Sequence, residues 1–175
     1  RGFAATYSTV IRGIPVIVVL FILFFVIAQF INLTPFLAGA IALGIASSAY
    51  QSEILRGAIM AVPPGQMMAA RAIGMSRLKA IAFVILPQAF RLVLPSWSNE
   101  MIAIIKYTAV VFLIAVPDLM GKAKMVSSRY FAPISTYIIV ALIYLVIVGL
   151  AALVLRYVGK RFETPGLESM EKAAR

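Results

Sequence analysis

The sequence predicts an all-α, polytopic membrane protein with four membrane-crossing helices, and three observations carry this. Mean hydropathy is +1.03, with 63% hydrophobic and 13% charged residues, where soluble domains run near half and a quarter. A chain of 175 residues has no interior large enough for that excess, because a domain of this size exposes most of its surface to its solvent. That solvent is therefore lipid. The net charge of +10 is not gathered into one footprint, as a nucleic-acid surface would require; the cations sit between and beyond the apolar runs, as in a positive-inside pattern.

The first span is Gly13 to Ile31 (GIPVIVVLFILFFVIAQFI), with Gln29 as its only strongly polar side chain. At about 1.5 Å per residue it covers a hydrocarbon core of roughly 30 Å. Pro15 lies in its first turn, where a missing N–H costs little. Asn32-Leu33-Thr34-Pro35 predicts a tight turn, Thr34 capping a second helix that runs from Pro35 to Ala61. On it, Ala40, Gly44 and Ser48 form a small-residue stripe that admits a close neighbour. Glu53 and Arg56, three apart, share a face and can pair. Val62-Pro63-Pro64-Gly65 ends this helix.

Gln66 to Pro87 is the one amphipathic, cationic connector between apolar runs, carrying Arg71, Arg77 and Lys79. It is expected as two short helices broken at Gly74, with Pro87 marking the end or a kink. The third span runs from Ala89 to Val116 and is the least uniform, with Arg91, Pro95, Asn99, Glu100 and Lys106 along it. Pro117-Asp118 opens a polar loop bearing Lys122, Lys124 and Arg129, and the fourth span is Tyr137 to Leu155. Residues 1-165 thus read as one transmembrane domain with a connector at 62-88, and 166-175 as a polar tail. The chain opens on Arg1 rather than Met, so a preceding segment and one further helix are expected.

If the spans alternate, Arg1, Arg12, Arg56, Arg71, Arg77, Lys79, Arg91, Arg156, Lys160 and Arg161 fall on one side, and only Lys122, Lys124 and Arg129 on the other. Ten against three places the connector and C-terminus in the cytoplasm. The chain has no His and no Cys. That excludes thiolate and His-based nucleophilic chemistry, and leaves only carboxylates for a metal. No phosphate-binding loop is present, since Gly121-Lys122 lacks the upstream Gly and the following hydroxyl. No catalytic residue and no metal site is expected.

Ionisable groups inside a membrane are costly and mark a pathway or a pair. Glu100 and Tyr107, seven apart, share a face, as do Asn99 and Lys106 on the next stripe; Glu53 and Tyr50 can face the same cavity from the second helix. The structural alternative pairs Glu53 with Arg56 and holds Glu100 or Lys106 by backbone or a sister subunit.

The connector carries a family resemblance. Membrane subunits of ATP-binding-cassette (ABC) importers have a cytoplasmic loop of the form E-A-A, three residues, G, nine residues, I-x-L-P. Here Met68-Ala69-Ala70, Gly74 and Val84-Ile85-Leu86-Pro87 stand at that spacing. Arg12-Gly13-Ile14-Pro15, Tyr50, Glu53, Arg56-Gly57, Pro87-Gln88-Ala89, Ser98-Asn99-Glu100 and Val116-Pro117-Asp118-Leu119 resemble the polar amino-acid (histidine/glutamine/arginine-type) permease branch, from Arg12 to Arg161. Two positions depart: the usual Glu is Met68 and the usual Ile is Val84. Met68 removes a carboxylate, though a thioether still fills an apolar groove.

The resemblance implies the type I ABC importer permease fold, usually of five helices, in a prokaryotic inner membrane. It implies no enzymatic activity and no cofactor in this chain: ATP and Mg belong to two cytoplasmic ATPase subunits. Those subunits would grip Met68, Ala69, Ala70, Arg71, Gly74, Arg77, Leu86 and Pro87. Further partners implied are a second permease subunit, identical or homologous, and an external binding protein that delivers a small amino acid. Glu100, Asn99, Lys106, Tyr107, Glu53 and Tyr50 would line the substrate path, and an acid after the Asn tilts selectivity toward cationic substrates. Two other classes fit the composition: an ion-coupled secondary transporter or channel fragment with Glu100 and Glu53 as coupling groups, and a non-transporting scaffold anchoring a cytoplasmic partner.

Overall fold

Turn and capping chemistry divides the chain into seven helices among the described residues. The computed structural model describes residues 2–161; Arg1 and the expected tail at 166-175 lie outside them. The helices are α1 (Gly2–Gly13), α2 (Val16–Ile31), α3 (Pro35–Ala61), α4 (Pro64–Ala72), α5 (Arg77–Ile114), α6 (Leu119–Tyr130) and α7 (Pro133–Lys160). No strand occurs among the described residues.

The first span starts later than its composition suggests. Gly13-Ile14-Pro15 breaks the chain, and α1 and α2 meet there at 96°. Pro15 stands at the N-cap of α2 in an extended conformation, so the break falls where proline disfavours helix in the residue before it. Asn32 then takes a left-handed conformation, φ 49°. The Thr34 hydroxyl accepts from the Leu37 N–H at 3.3 Å, and α3 begins at Pro35 as predicted and ends at Ala61, before Pro63 and Pro64.

α3 is the inner helix. It buries Ala38, Gly39, Ala42 and Ala49 and packs against α1, α2 and α5. Tyr7 and Ser8 of α1 bond to it: the Tyr7 and Ser48 hydroxyls lie 2.6 Å apart, and Ser8 donates to the Ala49 carbonyl at 3.4 Å. The close-approach face differs from the expected stripe. A Cβ added at Gly39 would sit 3.2 Å from Val111 Cγ1, whereas one at Gly44 would meet nothing within 4 Å; Ala40, Gly44 and Ser48 border an open groove. The core gathers Val19, Leu20 and Leu23 of α2, Ala38 and Ala42 of α3, and Val111, Ile114 and Val116.

Pro87 neither ends nor breaks the third long helix. In regular α-helix its ring would meet the carbonyl four residues back, but residues Ile81–Ile85 widen into a π turn and the Leu86 N–H reaches the Ile81 carbonyl. A widened turn is a known way to take up such a defect. α5 therefore runs 38 residues, from the connector to a 3-10 end at Thr108–Ile114. The segment after Pro117, expected as a loop, is helix α6: Asp118 caps it, its carboxylate accepting from the Gly121 N–H at 2.7 Å.

Four spans were expected. Among the described residues, α5 and α7 are long and apolar enough to cross a membrane, with a third span if α1 and α2 count as one bent element. α2 alone is about 24 Å long, because the break at Pro15 removes its first turn. α3 is long enough at 27 residues but is diluted by Ser, Gln, Glu and Arg and is not among the helices apolar enough to cross. α7 is the opposite case: it is the more apolar of the two crossing helices and buries only Val140.

Candidate functional site

The break that separates α1 from α2 also builds a cavity. Gly13, Ile14 and Pro15 at the break form one wall, Ser47 and Tyr50 of α3 a second, and Glu100, Ile104 and Tyr107 of α5 a third; the cavity is open to the surface and its volume is about 340 Å³. The spacing 100, 104, 107 is one stripe of a helix, so α5 turns these three side chains to the same side. Arg12 completes the lining. Its guanidinium carbon lies 5.2 Å from the centroid of the Tyr50 ring, within the range of cation–π attraction. Glu100 is half-buried. The cavity thus holds a fixed cation, a carboxylate and three hydroxyls in a largely apolar setting.

Three of the six expected path residues meet here: Glu100, Tyr107 and Tyr50. Asn99 does not. One residue back on α5 is about 100° round the helix, and Asn99 borders a separate groove between α5 and α7 with Arg91 and Arg156. Lys106 is exposed and borders none of the cavities described. Glu53 is held by Arg56, whose Nε donates to its carboxylate at 3.1 Å while a second guanidinium nitrogen makes an ion pair with the same oxygen. Sequence reasoning missed Arg12 and Ser47 as cavity residues. Arg12 was counted as a charge at a helix end; the signal available was Gly13 and Pro15 beside it, which break the helix and turn its last residues inward.

The connector has its own geometry. α4 ends with Gly74 at φ +86°. The Met75 N–H reaches the Ala70 carbonyl at 3.1 Å and the Gly74 N–H the Arg71 carbonyl at 3.1 Å, the paired bonds of a Schellman stop. Arg71 reinforces it, donating to the Met75 carbonyl at 2.9 Å. The Ser76 hydroxyl then accepts from the Lys79 N–H at 3.4 Å to start α5. Val62, Ile85 and Ala89, with Met67 and Leu92 beside them, seat the connector on α5, and Gln88 donates to Gln66 at 3.2 Å.

Of the residues expected to couple, Ala70 is buried; Met68, Ala69, Arg71, Gly74, Arg77, Leu86 and Pro87 are exposed. Met68 is 66% exposed, and Ile73 and Leu78, not singled out from the sequence, are each 79% exposed. Three large apolar side chains around one rigid turn, flanked by Arg71 and Arg77, form a surface suited to a protein groove. Among the described residues no group of side chains gathers that could hold a metal ion.

Comparison with known proteins agrees with this architecture. Residues 1–164 match the family model described as binding-protein-dependent transport system inner membrane component. The chain is 40% identical over 165 residues to the L-cystine transport system permease protein TcyB of Bacillus subtilis (strain 168), covering 93% of this chain and 70% of that protein. It is 34% identical over 178 residues to the arginine ABC transporter permease protein ArtQ of Escherichia coli (strain K12), covering 87% and 75%. A crystal structure of an amino acid ABC transporter with histidines superposes with a TM-score of 0.84 at 40% identity, covering 90% of this chain and 74% of that one. The inward-facing MetNI methionine ABC transporter superposes at 0.78 with 16% identity over 91% and 74%, which speaks to fold alone. With its helices arranged as in ABC importer permeases and its whole described length matched, the chain belongs to the family of inner membrane components of binding-protein-dependent transport systems.

Proposed function

We propose that this chain is the permease subunit of an ATP-driven importer for polar amino acids, and that the cavity between Arg12 and Glu100 is part of the substrate path. The observation that carries the reading is the presence of both charges in one cavity of about 340 Å³. An amino acid brings a carboxylate and an ammonium together, and the cavity presents a charge of opposite sign to each. Arg12 suits the carboxylate, because a guanidinium meets it with two parallel N–H donors. Glu100 suits the ammonium, and Tyr50, Tyr107 and Ser47 offer hydroxyls for orientation.

Residues 1-165 act as the transmembrane unit, with 166-175 as a tail. The connector and C-terminus face the cytoplasm, in line with the excess of Lys and Arg at that end. Separate ATPase subunits bind and hydrolyse ATP, gripping the surface of Met68, Ile73 and Leu78 around Gly74. A second permease subunit closes the path, and an external binding protein delivers the substrate.

The test is uptake by the complete importer in proteoliposomes. Glu100→Gln should raise KM for a cationic amino acid about tenfold or more while leaving the ATPase activity without substrate unchanged, since a hydrogen bond to a charged group is worth about 1.5–3 kcal/mol. Transport by this chain without any ATPase subunit would sink the reading, and an unchanged KM would remove Glu100 from the path.

A further inference from the structure

We propose that Gln51 and Ser47 of α3 position the Glu100 carboxylate, so that Gln51, which does not line the cavity, helps set the affinity for a cationic substrate. This role presupposes that Glu100 lies on the substrate path, as proposed for the cavity. α3 carries three serines, and two of them give their hydroxyl protons to their own helix. Ser48 donates to the Ile45 carbonyl and Ser52 to the Ala49 carbonyl, each at 2.8 Å. Ser47 does not. Its hydroxyl accepts from the Gln51 Nε2 at 2.9 Å, four residues on and thus on the same face of the helix.

That leaves one proton to place. A hydroxyl has a single O–H to donate, Ser47 is only 8% exposed, and a buried O–H without an acceptor is costly. The acceptor at hand is the Glu100 carboxylate. The Ser47 hydroxyl lies beside it, and both residues line the cavity. Gln51 stands behind them, in the open groove along Ala40, Gly44 and Ser48; groove and cavity have Leu43, Ser47 and Ile104 in common. From groove to cavity the order is therefore amide, hydroxyl, carboxylate, with each donor aimed toward the anion. Hydrogen bonds in such a chain polarise one another. With one carboxylate oxygen taken by Ser47, the other is left for a cationic group of the substrate. Without the pair, ordering Glu100 would fall to the substrate and weaken its binding.

The experiment measures arginine uptake by the complete importer in proteoliposomes, with Tm in detergent read alongside. Threonine and valine are alike in shape and differ by the hydroxyl, so they are compared at position 47. Ser47→Val should raise KM about tenfold, on the scale of one hydrogen bond to a charged group, while Ser47→Thr stays near the wild type. Gln51→Met keeps the volume, removes the amide and should raise KM about threefold, within the range of an ordinary hydrogen bond. It lies outside the cavity wall and decides the matter if a variant at position 47 fails to fold. In a Glu100→Gln background, Ser47→Val and Gln51→Met should have no further effect on KM, whereas a merely structural defect would add to it. Equal KM for Ser47→Thr and Ser47→Val, a wild-type KM for Gln51→Met, or full additivity with Glu100→Gln would overturn the positioning role and leave Glu100 on the path. An unchanged KM for Glu100→Gln alone would overturn both. An unaltered importer that takes up no arginine would also overturn the proposal, since Glu100 would then meet no cationic substrate.

Discussion

If ATPase subunits dock on the connector as proposed, replacing Gly74 with alanine should weaken that docking about tenfold. Gly74 has φ +86°, and a side chain in left-handed backbone costs roughly 1–2 kcal/mol. At 1.4 kcal/mol per factor of ten, the population of the Gly74 turn falls roughly five- to thirtyfold relative to conformations in which α4 unravels or continues. The cost comes from the backbone alone, because an added Cβ meets no atom within 4 Å. Substitutions at Gly74 should therefore form a series. Asparagine, which tolerates the left-handed region best after glycine, stays nearest the wild type; alanine is intermediate; valine, β-branched, is worst. The assay is ATP hydrolysis stimulated by substrate-loaded binding protein, measured against ATPase-subunit concentration in proteoliposomes, with membrane insertion checked by protease protection. Unchanged stimulation for both alanine and valine would refute the docking role of the turn. Asparagine falling below alanine would refute the strain argument and assign the cost to a partner surface packed against Gly74.

Three other substitutions test separate parts of the structure. Gly39→Val pushes a branched side chain toward Val111, 3.2 Å from the first added carbon. It should destabilise by about 1–3 kcal/mol, seen as a lower Tm in detergent. Leu78→Asp alters a side chain that is 79% exposed, so Tm should move little while affinity for the ATPase subunits, read by co-purification, drops. Asp118→Ala removes the cap on Gly121 and should cost about 1 kcal/mol, whereas Asp118→Ser keeps a cap and most of the stability; equal Tm for the two would assign no role to the cap.

What could be seen in the sequence was local. Thr34-Pro35 and Pro63-Pro64 mark the ends of α3 because caps and prolines act within one turn. Gly74 declares a left-handed turn because few other residues adopt one. Pro87 misled, since the π turn that accommodates it lies in residues with no distinctive signature, and so the join of connector and third span into one helix was hidden. The spacing of Glu100 and Tyr107 placed them on one face, but which neighbour that face meets is tertiary information. Asn99 and Glu100 are adjacent in sequence and look toward different helices. Arg12 enters the cavity only because the chain bends at Gly13–Pro15, and Ser47 only because α3 lies at the centre of the packing.

The unbroken course of α5 has a mechanical consequence. From Arg77 at the connector to Glu100 at the cavity is about 35 Å of continuous helix, with the π turn at Ile81–Ile85 and Pro95 along it. Tilting it by about 5° about its connector end would carry Glu100 sideways by about 3 Å, the length of one hydrogen bond, by simple proportion to that length. Under the proposed coupling, a small rocking of the connector would thus be enough to make or break a contact of Glu100 in the cavity.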